Sequence, residues 1–204
     1  MSRFFLLRHA QSVANQKGFL AGRMPDIHLS SNGRKERDHL RTRMLGAKFD
    51  LILSSPMERC RQTIEYLLDD PKVNVKIEDG LTEVDYGVWT GKKFKNLMRN
   101  PEWRKIISSG SRIKFQDGES VRSVQKRAVE TLRSYEGREN RNILVSTHAD
   151  VVKFSLFFAL NSSLDNLDRL HVDNASVSII DIEKGVFTVR SVNDRSSLLK
   201  DFLV

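Results

Sequence analysis

The sequence predicts a layered α/β fold in which helices cover both faces of a mostly parallel central sheet, a three-layer α/β/α arrangement. Short apolar runs recur along the chain, and several end abruptly in polar residues. Such runs are typical of strands buried on both faces of a sheet. Stretches with the helical spacing of apolar residues separate them, and a hairpin pattern follows. Strands that alternate with helices favour a parallel sheet.

The length and composition fit one globular domain over residues 1–204. Hydrophobic residues make up 39% of the chain and charged residues 29%, which is typical of a protein with a substantial core. No apolar run approaches the ~20 residues of a membrane helix, and the run at 4–7 is too short for a signal peptide. The one cysteine, Cys60, forms no internal disulfide, so we expect a reducing cytoplasm.

Positive charge is in excess and unevenly distributed. The chain has 34 Lys and Arg against 26 Asp and Glu, a formal net charge of +8, and such a field attracts anions, whether phosphorylated metabolites or nucleic acid. Between residues 92 and 114 eight cations accompany one anion, Glu102. A solvated helix face is the alternative explanation. The eight cations are Lys92, Lys93, Lys95, Arg99, Arg104, Lys105, Arg112 and Lys114.

Apolar runs and alternation predict the strands. They cover 4–7, 50–55, 73–77, 142–147, 175–182 and 186–192. The last two are joined around Glu183-Lys184-Gly185, the clearest hairpin signal in the chain. The first strand ends at Arg8 and His9, and the fourth ends at His148.

Caps and helical spacing predict the helices. Ser30 or Ser31 is the candidate cap of the first, with Leu40, Met44 and Leu45 as its apolar positions. The other predicted helices cover 57–68 after Pro56, 95–107, 120–135 and 151–160, and the stretch 15–25 is predicted to be a loop.

Chemically active side chains recur where the predicted strands end. Arg8 and His9 follow the first strand, Arg59 lies just beyond the second, and His148 follows the fourth, while Glu83 lies in a loop after the third. Each has an ordinary alternative, such as a core histidine, a turn cap or a surface cation. Their recurrence at one sheet edge, where ligands of open α/β sheets bind, favours a shared site for an anion.

The motif blocks that carry these residues occur in a characteristic order. They are 7–12 with Asn15, Leu29 with Gly33, 54–63, 81–91, 118–120 and 146–149. This set resembles the histidine phosphatase superfamily, also called phosphoglycerate mutase-like, and the resemblance covers nearly the whole chain. It implies that family's fold, with the basic stretch at about 92–116 as a lid-like insertion.

The resemblance also implies roles for individual residues. His9 would attack phosphorus and form a phosphohistidine. Arg8, Arg59, Asn15 and a protonated His148 would hold the phosphate oxygens, with Gly22 and Ala149 also at the substrate. Glu83 would be the general acid, with Asp85 as the rival carboxylate. No metal is expected, since these groups supply the charge and no cluster has metal-ligand spacing.

Two departures from the family pattern concern Ala10 and Ala149, which follow the histidines where glycine is usual. If either glycine provided a positive φ, alanine would strain the backbone. The alternative is that the two methyl groups narrow the floor of the pocket and affect substrate choice.

The reaction expected is hydrolysis of a phosphomonoester on a small anionic metabolite. Mutases that use 2,3-bisphosphoglycerate as a cofactor are longer, and they carry a threonine and an arginine where this chain has Ala21 and Val84. Such a mutase is the alternative, because fold and core site are shared. A non-catalytic protein that binds nucleic acid or another anion ranks lower, since its aromatic residues do not interleave with its cations. An oligomer is possible, and no membrane partner is expected.

Overall fold

A mixed sheet forms the centre of the protein. The computed structural model describes residues 1–68, 73–137 and 139–204. In these ranges six strands pair in the order β3-β2-β4-β1-β5-β6. They are β1 Ser2–Arg8, β2 Leu51–Ser54, β3 Val75–Ile77, β4 Arg141–Thr147, β5 Val177–Glu183 and β6 Val186–Asp194. The first four run parallel, β5 is antiparallel to β1, and β6 is antiparallel to β5.

Helices lie on both faces of this sheet. They are α1 Val13–Lys17, α2 Ser31–Arg43, α3 Glu58–Thr63, α4 Glu65–Leu68, α5 Phe94–Leu97, α6 Pro101–Ile107, α7 Val121–Ser134 and α8 Ala149–Ala159, with short 3-10 turns at 79–81, 87–89, 110–112, 164–169 and 199–202. Among the helices in the described ranges, none combines the length and apolar character that crossing a bilayer requires.

The alternation of side chains along β1 explains the layers. Phe4 and Leu6 belong to one buried cluster with residues of α7, α8 and the 92–116 insertion. Phe5 and Leu7 belong to another with residues of α2 and the C-terminal 3-10 turn. Because neighbouring strand residues point to opposite faces, each face is covered by its own set of helices. The predicted three-layer α/β/α fold is confirmed.

Several predicted boundaries are wrong, each for a local reason. The helix expected at 57–68 is broken at Ile64 into α3 and α4. The helix expected at 95–107 is two helices, because Asn100 caps α6 through its side chain and Pro101 begins it. The predicted loop at 15–25 starts inside α1, which Ser12 caps. Leu45 lies beyond α2 and is exposed rather than part of its apolar face.

The remaining elements differ from prediction by a few residues. The third strand is Val75–Ile77 rather than 73–77, the hairpin strands are Val177–Glu183 and Val186–Asp194, and α8 is Ala149–Ala159 rather than 151–160. The predicted hairpin and the cap at Ser30, which accepts a hydrogen bond from the Gly33 amide, are both present.

Gly33 brings the first turn of α2 against the loop that follows β1. A Cβ atom built on Gly33 would lie 1.9 Å from the carbonyl oxygen of Gln11, two residues after His9. The Gln11 amide in turn donates to Glu36 of the same helix at 2.7 Å. The absence of a side chain therefore allows α2 to support the segment that carries His9.

We expect Gly33→Ala to lower the free energy of unfolding by roughly 1–3 kcal/mol, because the new methyl group must displace backbone rather than a flexible side chain. Urea denaturation measures the change. Asn32→Ala, at the exposed neighbouring position, is the control and should alter the free energy by less than about 0.5 kcal/mol. Equal effects of the two substitutions would contradict this explanation of Gly33.

Candidate active site

The pairing of β1 with β4 places two histidines side by side. Arg8 is in register with Thr147, and the His9 amide donates to the Thr147 carbonyl at 2.9 Å. The residues that follow, His9 and His148, therefore emerge together at the carboxyl edge of the sheet. Their rings are edge to face with centroids 5.3 Å apart. The structure thus brings together the two histidines that the sequence placed at separate strand ends.

Hydrogen bonding fixes the tautomer of His9. Its Nδ1 lies 2.7 Å from the carbonyl oxygen of Ala10. A carbonyl can only accept, so Nδ1 carries the proton and Nε2 keeps its lone pair. Burial and the nearby guanidinium groups of Arg59 and Arg8 hold the pKa of His9 well below its usual value. The ring is therefore neutral at neutral pH, and Nε2 is a nucleophile without prior deprotonation.

His148 is engaged by protein groups at both ring nitrogens. Arg59 donates from Nη2 to Nδ1 at 3.3 Å, and Nε2 lies 2.9 Å from the Ser55 hydroxyl. Because a guanidinium only donates, the ring proton belongs on Nε2. Burial, followed by the charge of Arg59, holds the pKa of His148 well below its usual value. The surroundings of His148 therefore favour the neutral ring in the ligand-free protein, and its protonation against a bound phosphate stays a prediction.

The two arginines present buried donors to the same space. Arg8 is the last residue of β1, and it donates from Nη1 to the Val172 carbonyl at 2.6 Å. Arg59, in the first turn of α3, is 1% exposed and donates from Nη2 to the Gly22 carbonyl at 2.8 Å. The Nε of Arg8 and the Nη1 of Arg59 are buried without a hydrogen-bond partner in the part of the chain that the structure describes. Unpaired buried donors are costly, so these two favour a bound anion.

Asn15 and Gly22 line the same cavity as these groups. The Ser12 amide and hydroxyl both donate to the Asn15 carbonyl oxygen, at 3.0 and 2.9 Å. This arrangement leaves the amide nitrogen of Asn15 as the end suited to donate to an anion. Gly22 has a φ of +50°, and a Cβ there would lie 3.1 Å from the Tyr86 ring. A glycine therefore suits the close turn that directs the Gly22 carbonyl to Arg59.

Glu83 lies in the loop after the 3-10 turn at 79–81 and lines the cavity. Its Oε2 is 3.7 Å from Nδ1 of His148, and its side chain is 13% exposed. Burial, and then the negative charge of Asp150, raises the pKa of Glu83 to about 7. The Tyr86 hydroxyl donates to Asp150 at 2.5 Å, which keeps that second carboxylate in place. At neutral pH Glu83 is therefore able both to give and to take a proton.

A cluster that the sequence reasoning missed holds the backbone of Glu83. Arg127 of α7 and Arg23 both donate to the Glu83 carbonyl, at 3.1 and 3.0 Å. Glu119 forms ion pairs with both arginines, at 3.0 and 2.8 Å. It also accepts the Asp85 amide at 3.1 Å. These contacts attach the loop that carries Glu83 to α7. Glu119 belongs to the 118–120 motif block, which is the sequence feature from which the cluster could have been found.

Asp85, the rival carboxylate, does not line the cavity. Its Oδ1 accepts the amide of Gly87 at 2.9 Å, which shapes the turn after Glu83. Other residues missed by the sequence reasoning also support the site. The Ala10 amide donates to the Thr63 hydroxyl at 2.9 Å, and Asn174 donates to the His9 carbonyl at 3.0 Å. Neither contact has a sequence signal, since each joins distant parts of the chain.

The alanines after the histidines do not strain the backbone. Ala175 has a positive φ of 54°, whereas neither Ala10 nor Ala149 has one. Ala10 is fully buried beside Leu29 and Ala175. Ala149 begins α8 and lines the cavity. Strain therefore applies at neither position, and a narrower floor stays a prediction for Ala149, which is the one of the two alanines that lines the cavity.

The site opens into one large cavity of about 1140 Å³. Besides the residues above, its lining includes α5, α6, the turn at 110–112 and residues of α8 and 164–168. Of the eight cations between residues 92 and 114, Arg104 and Arg112 line it, while Lys92, Lys93 and Lys95 do not. Direct contact with a ligand in the cavity is therefore open to Arg104 and Arg112 and not to these three lysines.

Within residues 1–68, 73–137 and 139–204, no group of three or more His, Cys, Asp or Glu side chains is placed to hold a metal ion. Beside the two histidines, Arg8 and Arg59 supply fixed guanidinium groups suited to phosphate oxygens. The site therefore combines the neutral imidazole of His9 as a nucleophile, guanidinium groups that can hold an anion, and the carboxyl of Glu83 with a pKa of about 7.

Comparisons with known proteins fit this geometry. A sequence model of the histidine phosphatase superfamily (branch 1) matches residues 4–195. The chain is 30% identical over 187 residues to phosphoserine phosphatase 1 of Hydrogenobacter thermophilus, an alignment that covers 90% of this chain and 88% of the relative. It is 28% identical over 196 residues to a 2,3-bisphosphoglycerate-dependent phosphoglycerate mutase of Thermoplasma acidophilum, covering 96% and 95% of the two proteins.

A solved structure shows the same architecture. The alpha-ribazole phosphatase of Shigella flexneri superposes with a TM-score of 0.83 at 26% identity, covering 96% of this chain and 98% of that one. The two folds therefore agree over nearly the whole of both chains. The family match over nearly the whole chain confirms the resemblance predicted from the motif blocks, and the protein belongs to the histidine phosphatase superfamily.

Proposed function

We propose that the protein is a phosphomonoester hydrolase that acts through a phosphohistidine on a small phosphorylated metabolite. The observation that carries the proposal is the neutral ring of His9, whose Nε2 lone pair is held in a cavity with buried guanidinium donors that have no partner in the described ranges. This combination suits an anion that reacts as well as binds. The phosphatases among its relatives support the hydrolytic direction.

In the first step, Nε2 of His9 attacks phosphorus and the bond to the ester oxygen breaks. Arg8 and Arg59 hold the equatorial oxygens, on which the charge of the transition state is spread. Glu83 gives its proton to the departing alkoxide, for which a pKa of about 7 is well matched. A bound phosphate dianion also favours protonation of His148. Nδ1 of that ring then changes from a hydrogen-bond acceptor to a donor.

In the second step, water attacks the phosphohistidine. Glu83, now ionised, accepts a proton from that water, the P–N bond breaks, and inorganic phosphate leaves with His9 neutral again. No metal or cofactor enters either step, because guanidinium groups supply the charge that a metal would otherwise provide. A cytoplasmic location belongs to the same proposal and is supported by the use of a single cysteine.

A phosphoglycerate mutase is the second candidate, supported by the relative from Thermoplasma acidophilum. The same phosphohistidine would then pass to a second substrate hydroxyl instead of water, with 2,3-bisphosphoglycerate as the cofactor. Ala21 and Val84 favour hydrolysis, because the resemblance to the family implies a threonine and an arginine at these positions in such a mutase.

We expect His9→Ala to reduce phosphatase turnover by at least about 10³-fold, because the nucleophile is lost. Release of inorganic phosphate from p-nitrophenyl phosphate measures the rate, and acid-quenched labelling with a ³²P-phosphomonoester measures the covalent intermediate. His39→Ala, an exposed histidine on α2, is the matched control and should keep both signals. The wild-type rate should also survive a chelator.

Persistence of the label in the His9 variant, or loss of activity with the chelator, would contradict the proposed chemistry. Interconversion of 2- and 3-phosphoglycerate without net phosphate release would establish the mutase instead. Binding of nucleic acid that weakens steeply with salt, in a protein without turnover, would support the lower-ranked binding function.

We expect Asp150→Asn to move the alkaline limb of the pH profile of kcat/KM to lower pH. Glu83 must be protonated in the first step, and loss of the Asp150 charge removes a cause that raises the pKa of Glu83. The control is Asp168→Asn, which changes another carboxylate of the cavity lining. A limb that stays in place or moves to higher pH in the Asp150 variant would contradict the assignment of Glu83.

We expect Glu83→Gln to stabilise the protein at pH 8 more than at pH 5. The folded-state pKa of Glu83 is about 7, above its ordinary 4.5, so the unfolded chain releases its proton first. Wild-type stability is therefore lost as pH rises between these values, by up to about 3 kcal/mol, whereas glutamine does not titrate. Urea denaturation at both pH values measures the difference, with exposed Glu183→Gln as the control. An equal gain at both pH values would contradict the buried-proton argument.

A further inference from the structure

The cavity is far larger than a phosphate group requires. Its volume is about 1140 Å³, whereas pockets for drug-sized ligands measure roughly 300–1,000 Å³. The phosphate-binding groups Arg8, His9 and Arg59 account for only a small part of its lining. The part of the lining that we call the distal wall consists of the cavity-lining residues between 94 and 115, Arg122, and those between 153 and 168.

The distal wall offers mainly apolar contact. Phe94 of α5, Met98 just after that helix, and Ile107 of α6 line it while remaining 41%, 64% and 44% exposed. Phe154 and Leu167 join them from another part of the chain. Apolar side chains gathered around a cavity and left in contact with water mark a place where an apolar ligand gains from burial.

The charges of the distal wall are mixed and partly committed to the fold. Asp165 accepts the Ser111 amide at 2.6 Å, and Arg122 donates to the Ser111 carbonyl at 3.0 Å. These contacts hold the turn at 110–112 in place. Arg104, Arg112 and Lys153 add positive charge, and Asp168 adds another negative one. The wall therefore carries charges of both signs, four cations against two carboxylates, rather than cations alone.

We propose that the preferred substrates are phosphomonoesters with a bulky, apolar leaving group that lies against the distal wall. This inference rests on the phosphatase function proposed above. It places the phosphoryl group at His9 and the ester oxygen near Glu83, and it directs the remainder of the leaving group beneath α5 and α6. Compact polar esters reach the same catalytic groups but leave the exposed apolar side chains uncovered.

The test compares three primary alkyl phosphates, whose leaving oxygens have similar basicity: ethyl, 2-phenylethyl and 2-(1-naphthyl)ethyl phosphate. We expect kcat/KM to rise along this series, by about 10- to 100-fold from the first to the last, as expected for burial of one large apolar group. Equal values for the three esters, or a preference for ethyl phosphate, would overturn the inference.

A variant connects the preference to the distal wall. In Met98→Ser/Ile107→Ser the naphthylethyl-to-ethyl ratio of kcat/KM should fall by at least about threefold, because two exposed apolar contacts are lost. Both residues are exposed, so the substitutions do not open a cavity in the core. Leu45→Ser, which changes a 62% exposed leucine outside the cavity lining, is the matched control and should keep the ratio. An unchanged ratio in the double variant would overturn the assignment.

Binding of non-hydrolysable esters separates this inference from the proposed function. Calorimetry with ethylphosphonate and 2-(1-naphthyl)ethylphosphonate should show tighter binding of the naphthyl compound, whether or not the protein turns over an ester. Tighter binding without hydrolysis of any of the three phosphates would support the apolar wall and contradict the phosphatase. Hydrolysis with equal binding of both phosphonates would contradict the apolar wall alone.

Discussion

The parallel pairing of β1 with β4 is the constraint on which the site depends. Arg8 lies opposite Thr147 in this register, so the histidines that follow them are placed side by side by backbone hydrogen bonds rather than by side-chain contacts. A shift of one residue would turn His9 or His148 to the other face of the sheet. The two buried clusters, one on each face, make such a shift costly. The chemistry at this edge is therefore specified by the same packing that stabilises the fold.

Burial of charge gives this edge its reactivity. Burial lowers the pKa of both histidines, and the positive charges of Arg59 and Arg8 act in the same direction. Burial and the charge of Asp150 raise the pKa of Glu83 to about 7, against the opposing charges of the two arginines. The site thus holds neutral imidazoles beside a carboxyl that can give a proton, which is the pairing of nucleophile and acid that phosphoryl transfer needs. The guanidinium donors left without partners in the described ranges show that this arrangement is set up for a ligand and not for stability alone.

Much of this could be predicted from the sequence, for a physical reason. Strands and the polar residues that end them are encoded by neighbouring residues in the sequence. The sequence alone therefore predicts that His9, His148 and Arg59 lie at one edge of the sheet. The interactions that could not be predicted are between distant segments. They include the hydrogen bond from Arg59 to His148, which favours the neutral ring, and the attachment of Glu83 to Arg23 and Arg127. The sequence also did not predict which basic side chains between residues 92 and 114 face the cavity, because charge in a sequence does not show which side of a helix faces a cavity.

The break at Asn100 and Pro101 has a consequence for how the protein can change over evolutionary time. It divides the insertion into α5 and α6, of four and seven residues, and helices this short depend on the surface beneath them for stability. Trp103 and Phe115 are buried in the main core cluster, whereas Phe94, Met98 and Ile107 remain 41%, 64% and 44% exposed. Mutation can therefore alter the part of the cavity lining that α5 and α6 form without disturbing the central sheet. New substrate specificities become accessible while the sheet edge that carries the two histidines stays the same.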